Sequence, residues 1–194
     1  ALDMEGQAVL SEVPAETFRA VVRKDLFAEA YAGVGVPGCF NPRGIHREMP
    51  LVHAAEVNAA FMQVFSRDDN QVANAVVVFA EEGAYVYPGY NSSAYNMDQV
   101  FGEALKELSK VVPAIYLSAS SAGFNALKEY AVRVKKSLHK PPTIFTNQYY
   151  DAGLVDREGN LTIEEEFYVV TEASIRAKGG FKARPLTAER AEKF

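Results

Sequence analysis

The residue with the clearest chemical potential is Cys39, the only cysteine of the 194-residue chain. It lies in residues 35–44, where an apolar segment meets a Pro-Gly turn and a second proline, Pro42, can open a helix. A helix N-terminus with Arg43 or Arg47 nearby would lower the pKa of a thiol and make it nucleophilic. Free cysteines are also commonly small, buried and inert residues. The pattern therefore leaves Cys39 either as an inert turn residue, the interpretation we favour, or as a redox thiol.

Three polar residues have a spacing that could bind a metal ion. His46, His53 and Glu56 would share one face of a continuous helix. Pro50 interrupts that helix, so we interpret the set as ordinary surface residues and predict no metal site.

Other polar runs have simpler explanations than ligand binding. Ser120 and Ser121 stand at a predicted helix start, where they could bind a phosphate, but capping of the helix explains them better. Residues 164–166 are three glutamates, the pattern of a solvated charge run. The chain has no phosphate-loop or dinucleotide fingerprint, and we predict no cofactor.

Hydrophobic periodicity predicts the elements that must position these residues. Helices are predicted where apolar residues recur every three or four positions, and strands where they alternate or form short continuous runs. The predicted helices are 50–65, 97–108 and 124–138; the predicted strands are 17–23, 28–36, 72–80, 111–117, 143–147 and 167–171, with a hairpin over 154–163. Such alternation predicts a three-layer α/β domain with a mixed central sheet flanked by helices.

The stretch Gly-Val-Pro-Gly-Cys-Phe-Asn-Pro-Arg-Gly at residues 35–44 resembles the active-site turn of the peroxiredoxins, most closely their atypical type II branch. Pro37, Phe40 and Pro42 match that turn without a gap, and Pro50 falls where the family has a later proline. Weaker similarities extend over residues 10–165. The resemblance implies a thioredoxin-like fold.

The resemblance also implies that the peroxidase site is degenerate. The position of the catalytic cysteine holds Gly44, and the position of the threonine that orients the peroxide holds Asn41. The family's later arginine has no counterpart, because no arginine lies between Arg133 and Arg157. Without a thiolate at Gly44 there is no nucleophile to attack an O–O bond. The resemblance therefore implies a redox-inactive site lined by Pro37, Asn41 and Gly44.

Composition and charge limit the classes of partner. With 48% hydrophobic residues, a net charge of −5 and a pI near 5.3, the chain fits one globular domain and not a nucleic-acid-binding protein. No apolar run approaches the roughly 20 residues that cross a bilayer. We expect a domain over residues 1–175 and a basic C-terminal extension over 176–194. If Ala1 follows a cleaved targeting segment, a chloroplast or a mitochondrion is the expected location.

Two surface features predict protein partners. A tyrosine-rich stretch, predicted to be a loop, could either cover a sheet edge or form an interface. The C-terminal extension carries a net charge of about +4, whereas the rest of the chain carries about −9. A positive extension of this kind suits docking to an acidic protein surface or an anionic membrane face. The predicted partner-binding residues are Tyr85, Tyr87, Tyr90, Arg176, Lys178, Lys182 and Arg184.

These observations predict a redox-inactive, peroxiredoxin-like accessory or structural subunit of a larger protein complex. One alternative is a thiol peroxidase or other redox protein that uses Cys39. Another is a small-molecule binding module that uses the pocket around Asn41 and Gly44, where the resemblance implies that the family has its peroxidase site.

Overall fold

The computed structural model describes residues 8–13, 18–38, 40–91, 97–140 and 161–181. Within these ranges eight strands form one sheet in the order β1-β2-β3-β4-β5-β6-β8-β7. The strands are β1 (Ala8–Val13), β2 (Phe18–Arg23), β3 (Ala59–Phe65), β4 (Gln71–Ala80), β5 (Gly83–Asn91), β6 (Ile115–Leu117), β7 (Val132–Lys140) and β8 (Leu161–Val170). β5 and β6 pair in parallel, and the other neighbouring pairs are antiparallel.

Helices cover both faces of this sheet. They are α1 (Leu26–Ala30), α2 (Met49–Ala55), α3 (Met97–Leu108), α4 (Phe124–Leu127) and α5 (Glu172–Ala177), and a 3-10 turn, Lys128–Tyr130, follows α4. The main core lies between the sheet and α3, α4 and α5, while α1, α2 and the chain between them cover the opposite face. The predicted three-layer α/β domain with a mixed central sheet flanked by helices is therefore confirmed. None of the helices in the described ranges is long and apolar enough to span a membrane.

Two elements match their sequence predictions closely. α3 has the predicted bounds and buries its apolar stripe against the sheet. β4 extends one residue beyond the predicted strand, and its central residues, Ala75 to Val78, are buried on both faces. Both patterns are strong because one face of α3 and both faces of β4 lie in the core.

The predicted strand over 28–36 is wrong, because α1 begins directly after Asp25. The Asp25 carboxylate accepts a hydrogen bond from the backbone N–H of Ala28 at 2.9 Å and caps the helix. Turns follow α1 as far as Gly38.

The predicted helix over 50–65 is wrong in its second half. α2 ends at Ala55, and Glu56 adopts an extended backbone conformation before β3. β3 lies between β2 and β4, which supply its backbone hydrogen bonds, and its side chains are buried on both faces. Apolar residues at intervals of three and four therefore did not distinguish a helix from a strand that is buried on both sides.

The same ambiguity affects residues 124–138. Only α4 and one 3-10 turn are helical there, and the chain then forms β7, which pairs with β8 from Val132 to Lys140. The predicted strand over 111–117 is confirmed only for Ile115–Leu117. Tertiary pairing thus overrides local periodicity in this region.

The sequence predicted a tyrosine-rich loop over residues 83–95, but residues 83–91 form strand β5, and the remainder lies outside the described residues. This strand pairs with β4, and its register shifts where Val76 of β4 lies opposite Tyr87 and Pro88. A bulge tolerates proline because the ladder hydrogen bond is already interrupted there.

The predicted strand 143–147 and most of the predicted hairpin 154–163 lie outside the described residues. The predicted domain boundary after residue 175 stays a prediction; α5 continues across it to Ala177. The Phe181 ring lies 4.9 Å from Lys110 Nζ and 5.0 Å from Arg176 Cζ, so the chain packs against α3 and α5 up to that residue.

Candidate functional site

The chain from α1 to just beyond α2, residues 26–38 and 40–57, contains most of the exposed large hydrophobic residues in the described ranges. We call it the α1–α2 segment. Phe27 is 77% exposed and Ile45 83% exposed. Seven of the nine exposed large hydrophobic residues in the described ranges belong to this segment: Leu26, Phe27, Tyr31, Val34, Ile45, Leu51 and Val57. The remaining two, Val111 and Val132, lie elsewhere. Clustered exposed apolar residues of this kind mark interaction surfaces, whereas scattered ones are ordinary.

The turn between α1 and α2 carries two exposed arginines, and an exposed acid, Asp25, stands directly before Leu26. Arg43 and Arg47 are exposed between Val34 and Leu51, and Glu48 is the exposed acid beside them. This arrangement favours a partner with an apolar surface bordered by acidic residues.

Aromatic rings attach the segment to the sheet from below. The Phe40 ring lies 6.1 Å from that of Phe61 in β3, 5.8 Å from that of His53 in α2 and 5.4 Å from that of Tyr90 in β5. At the same place, a Cβ on Gly33 would lie 1.8 Å from the carbonyl oxygen of Phe40, so only glycine allows this approach. Phe40 therefore fixes the middle of the segment on the sheet.

Amide side chains of β3 and β4 bind the backbone of α1 and of the turn that follows it. Gln71 and Asn74 both donate to the carbonyl of Ala32, the latter at 2.5 Å, and Gln63 donates to the carbonyl of Ala28 at 3.3 Å. Gln63 and Asn74 are cross-strand neighbours and are both buried. These bonds replace the regular partners that the backbone of an irregular segment lacks.

A buried ion pair attaches both helices to the sheet. Lys24 Nζ, directly after β2, lies 3.3 Å from Glu29 Oε2 and within hydrogen-bond distance of four carbonyl oxygens, those of His53 (3.2 Å), Ala54 (2.9 Å), Glu56 (2.5 Å) and Ala59 (2.7 Å). The three N–H groups of the ammonium are shared among these acceptors. Glu29 Oε1 accepts the backbone N–H of Phe61 at 2.8 Å. Lys24 and Glu29 therefore connect α1, α2, β2 and β3.

The environment of Glu29 changes its acidity. The side chain is fully buried, and burial raises its pKa from 4.5 to about 7. The charge of Lys24 and the hydrogen bonds from Phe61 and Lys24 act in the opposite direction but do not cancel the effect of burial. This carboxyl consequently titrates near neutral pH.

The residues of the peroxiredoxin-like turn do not stand at a helix start. The predicted helix start at Pro42 is wrong, because residues 40–48 form turns and α2 begins at Met49. The Asn41 side chain donates to the carbonyls of Gly33 (3.4 Å) and Val36 (3.1 Å) and accepts the N–H of Arg43 (3.0 Å). The pocket around Asn41 and Gly44 therefore stays a prediction, and Asn41 stabilises the turn. Pro37 is exposed, and Cys39 lies outside the described residues.

The predicted partner-binding tyrosines have different environments. Tyr85 is buried, and its ring lies 5.0 Å from Tyr87 and 5.6 Å from Phe167, so it belongs to the core and not to an exposed loop. Tyr87 and Tyr90 are partly buried. Tyr90 packs against Phe40 of the α1–α2 segment, whereas Tyr85 packs within the sheet.

The predicted basic residues lie partly within α5. Arg176 bonds to Glu172 and stacks on Phe181, and Lys178 donates to the carbonyl of Glu129. Lys182 and Arg184 lie outside the described residues, so the role of the basic extension stays a prediction.

The other polar candidates have structural environments. His53 and Glu56 are buried, so they are not the surface residues that the sequence predicted; the His53 ring lies 5.7 Å from that of Phe61. His46 is exposed, as predicted. Among the described residues no three His, Cys, Asp or Glu side chains converge on a possible metal position.

The serines after β6 do not cap α4. Its N-cap is Gly123 without a side-chain cap, so the predicted capping by Ser120 or Ser121 is wrong. Ser121 instead donates to the carbonyl of Val86 at 2.5 Å and accepts the N–H of Ser118 at 2.8 Å. Glu166, from the predicted charge run, pairs with Arg133.

Sequence analysis did not identify Lys24, Glu29, Phe27 or Ile45. A single glutamate within the apolar run after Asp25, with a lysine five residues earlier, was the available signal for the ion pair. The exposed apolar residues had no comparable signal, because exposure depends on how the helices pack.

β5 continues beyond its parallel pairing with β6. That pairing ends at Val86 and Leu117, where β6 itself ends, and β5 continues to Asn91. The carbonyl of Tyr87 accepts the N–H of Ala122 at 3.0 Å, so the chain after β6 still lies against β5.

No protein-family model and no curated protein matches this chain. Among solved structures, a protein from Sphaerobacter thermophilus described as a candidate acetyltransferase is 12% identical, with 86% of this chain and 96% of that chain covered and a TM-score of 0.37. At this TM-score the similarity establishes neither a shared fold nor a shared function. It gives no support to the peroxiredoxin resemblance, which stays a prediction.

Proposed function

We propose that this protein is an accessory subunit of a larger protein assembly and that it docks through the α1–α2 segment. The observation that carries the proposal is the concentration of exposed large hydrophobic residues between Leu26 and Val57. The partner that this surface fits is a protein with an apolar contact area and an acidic border, because Arg43 and Arg47 are exposed among the apolar residues.

The segment is exposed but firmly attached, which suits a docking surface. Phe40, the amide side chains of β3 and β4, and the Lys24–Glu29 pair hold its backbone on the sheet. A surface that is ordered before binding loses less conformational entropy when the partner binds.

The first test is the double variant Phe27→Ser/Ile45→Ser. Burial of each large apolar side chain contributes about 1.5–3 kcal/mol, so we expect the dissociation constant of the complex to rise about 100-fold or more. Size-exclusion chromatography with light scattering, applied to the protein from its native source, would show a large complex for the wild type and a free subunit for the variant.

The matched control is Val111→Ser/Val132→Ser, which makes a similar change at the exposed apolar positions outside the segment. Both double variants should keep their free energy of unfolding within about 1 kcal/mol of the wild type, since all four residues are exposed. A wild-type protein that elutes as a free monomer from its native source would contradict the proposal. If the protein binds vesicles of phosphatidylcholine and phosphatidylserine but no protein partner, the partner of the α1–α2 segment is a membrane surface and the proposal of a protein partner is wrong.

A further inference from the structure

Strand β7 lies at the end of the sheet and pairs with a described strand, β8, on one side only. Its register with β8 continues without a shift from Val132 to Lys140. In an antiparallel pair, the backbone groups of successive residues point alternately toward and away from the neighbouring strand. Every second residue of β7 therefore directs its N–H and its carbonyl oxygen to the outer edge of the sheet.

The bonds of His139 identify the residues that point outward. Its N–H donates to Glu82 Oε2 at 3.0 Å, and its carbonyl accepts the N–H of Glu81 at 3.0 Å, so both groups point away from β8. Residues at intervals of two from His139 share this orientation, and they include Arg133 and Lys135. Within the described ranges, the outward backbone groups of Arg133 and Lys135 have no hydrogen-bond partner. This part of the edge is therefore an unpaired template for another strand.

The exposed part of β7 is positively charged. Arg133, Lys135 and Lys136 are exposed, and the strand contains no acidic residue. On its inner side β7 already binds an acid, because Glu166 of β8 pairs with Arg133 at 2.5 Å. Opposite charges on neighbouring strands stabilise the pairing, whereas like charges destabilise it. The charge of β7 therefore selects an acidic strand.

The outer edge also binds acidic residues at one end. Glu82 Oε1 lies 2.7 Å from His139 Nδ1, so both oxygens of this carboxylate contact a single residue of β7. The turn between β4 and β5 thus supplies a backbone donor, from Glu81, and a carboxylate to the outer edge. An added acidic strand would make contacts of the same kind further along the edge, at Lys135 and Arg133.

A second copy of this chain does not suit the edge. Two β7 strands paired edge to edge would bring the arginine and lysines of one copy against those of the other, and this repulsion destabilises the pair. An extended acidic segment of a different protein avoids the repulsion and makes both backbone hydrogen bonds and ion pairs.

We propose that the outer edge of β7 binds an extended acidic segment of a partner protein, which joins the sheet as a further strand. Arg133 and Lys135 provide the backbone donors and acceptors, and together with Lys136 they provide the positive charge. This surface is separate from the α1–α2 segment, so the proposal does not depend on the proposed function.

Hydrogen exchange of the free protein gives the first test. The amides of Arg133 and Lys135 should exchange at close to the intrinsic rate because their N–H groups face outward. Those of Val134 and Lys136 face β8 and should be protected. Protection of all four amides in the free protein would show that the edge is already occupied and would overturn the proposal.

A peptide with the sequence Thr-Val-Glu-Val-Glu-Val-Thr and blocked ends tests binding, and Thr-Val-Lys-Val-Lys-Val-Thr is its matched control. In an NMR titration at low ionic strength, the acidic peptide should shift the amide signals of Arg133 and Lys135 and bind about tenfold more tightly than the control, because its charges are opposite to those of β7. Equal affinities, or no binding of the acidic peptide, would overturn the proposal.

Two variants of Lys135 separate the backbone contribution from the charge. Lys135→Pro removes the outward N–H and should abolish binding of the acidic peptide, while the pairing with β8 persists because proline is tolerated where the N–H faces away from the neighbouring strand. Lys135→Gln keeps the N–H and should lower the affinity about threefold, since one ion pair across the strands is lost. An unchanged affinity in Lys135→Gln would overturn the proposed role of the charge.

The matched control is Arg67→Gln, which removes an exposed positive charge from the turn between β3 and β4 and should leave the peptide affinity unchanged. An equal loss of affinity in Arg67→Gln would mean that only the net charge of the protein matters, and it would overturn the site. Phe27→Ser/Ile45→Ser should bind the acidic peptide like the wild type, so this proposal and the proposed function fail separately.

Discussion

Lys24→Met is expected to lower the free energy of unfolding by about 1–3 kcal/mol, because Glu29 and the carbonyl groups around Lys24 lose a charged hydrogen-bond donor. Methionine keeps most of the apolar stem but donates no hydrogen bond, so four carbonyl groups at the end of α2 and the start of β3 lose the same donor. Urea denaturation at pH 8, where Glu29 is ionised, measures the effect.

The control is Lys128→Met, the same chemical change at an exposed lysine after α4, which should stay within about 0.5 kcal/mol of the wild type. Adding Glu29→Gln to Lys24→Met should restore part of the lost stability at pH 8, since no buried charge then remains unpaired. A loss below 1 kcal/mol in Lys24→Met would show that the ammonium group does not hold α2 on the sheet.

Phe61→Ala is expected to cost about 3–5 kcal/mol, the usual range when a fully buried aromatic side chain is removed from a core. Phe61 is completely buried in β3, and its ring contacts those of Phe40 and His53. The cavity would lie directly beneath the α1–α2 segment, so the segment should also lose hydrogen-exchange protection. Urea denaturation and exchange of the Ala32 amide would measure the two effects.

The matched control is Phe27→Ala. The same atoms are removed, but Phe27 is 77% exposed, so the free energy of unfolding should change by no more than about 0.5 kcal/mol. The two phenylalanines thus separate folding from docking: Phe61→Ala should weaken the fold, whereas a change at Phe27 should weaken only the complex. Equal losses of stability in both variants would mean that Phe27 is also part of the core.

The Glu29 pKa determines the pH at which these experiments should be compared. Burial makes the ionised form unfavourable, so the wild type is more stable at pH 6 than at pH 8 as far as this group is concerned. Glu29→Gln should remove this contribution and flatten the profile. Comparison of variants at a single pH would mix the effect of the substitution with the protonation of Glu29.

Several elements follow from the sequence because their environment repeats along the chain. α3 has one face on the sheet, and its six buried apolar residues recur with the helical period. β4 is central and buried on both sides, and its run of valines is typical of such strands. Local pattern and tertiary position agree in both cases.

Other elements depended on partners that are distant in the chain. Residues 59–65 and 132–140 have helix-like apolar spacing, but β2, β4 and β8 provide the backbone hydrogen bonds that make them strands. The tyrosine-rich stretch contains a proline and suggests a loop, yet a bulge lets it continue as β5. Periodicity in one segment cannot report a partner that lies elsewhere in the sequence.

By itself the sequence determined the class of the domain, the helix α3 and the strand β4, since local hydrophobic period contains that information. Only the tertiary structure decided where a function could lie. It brings Lys24, Glu29 and the end of α2 together from separate parts of the chain, and it leaves Phe27 and Ile45 in solvent while burying Tyr85. The physical reason is that burial and ion pairing depend on which segments pack together, and residue types along one segment do not specify that packing.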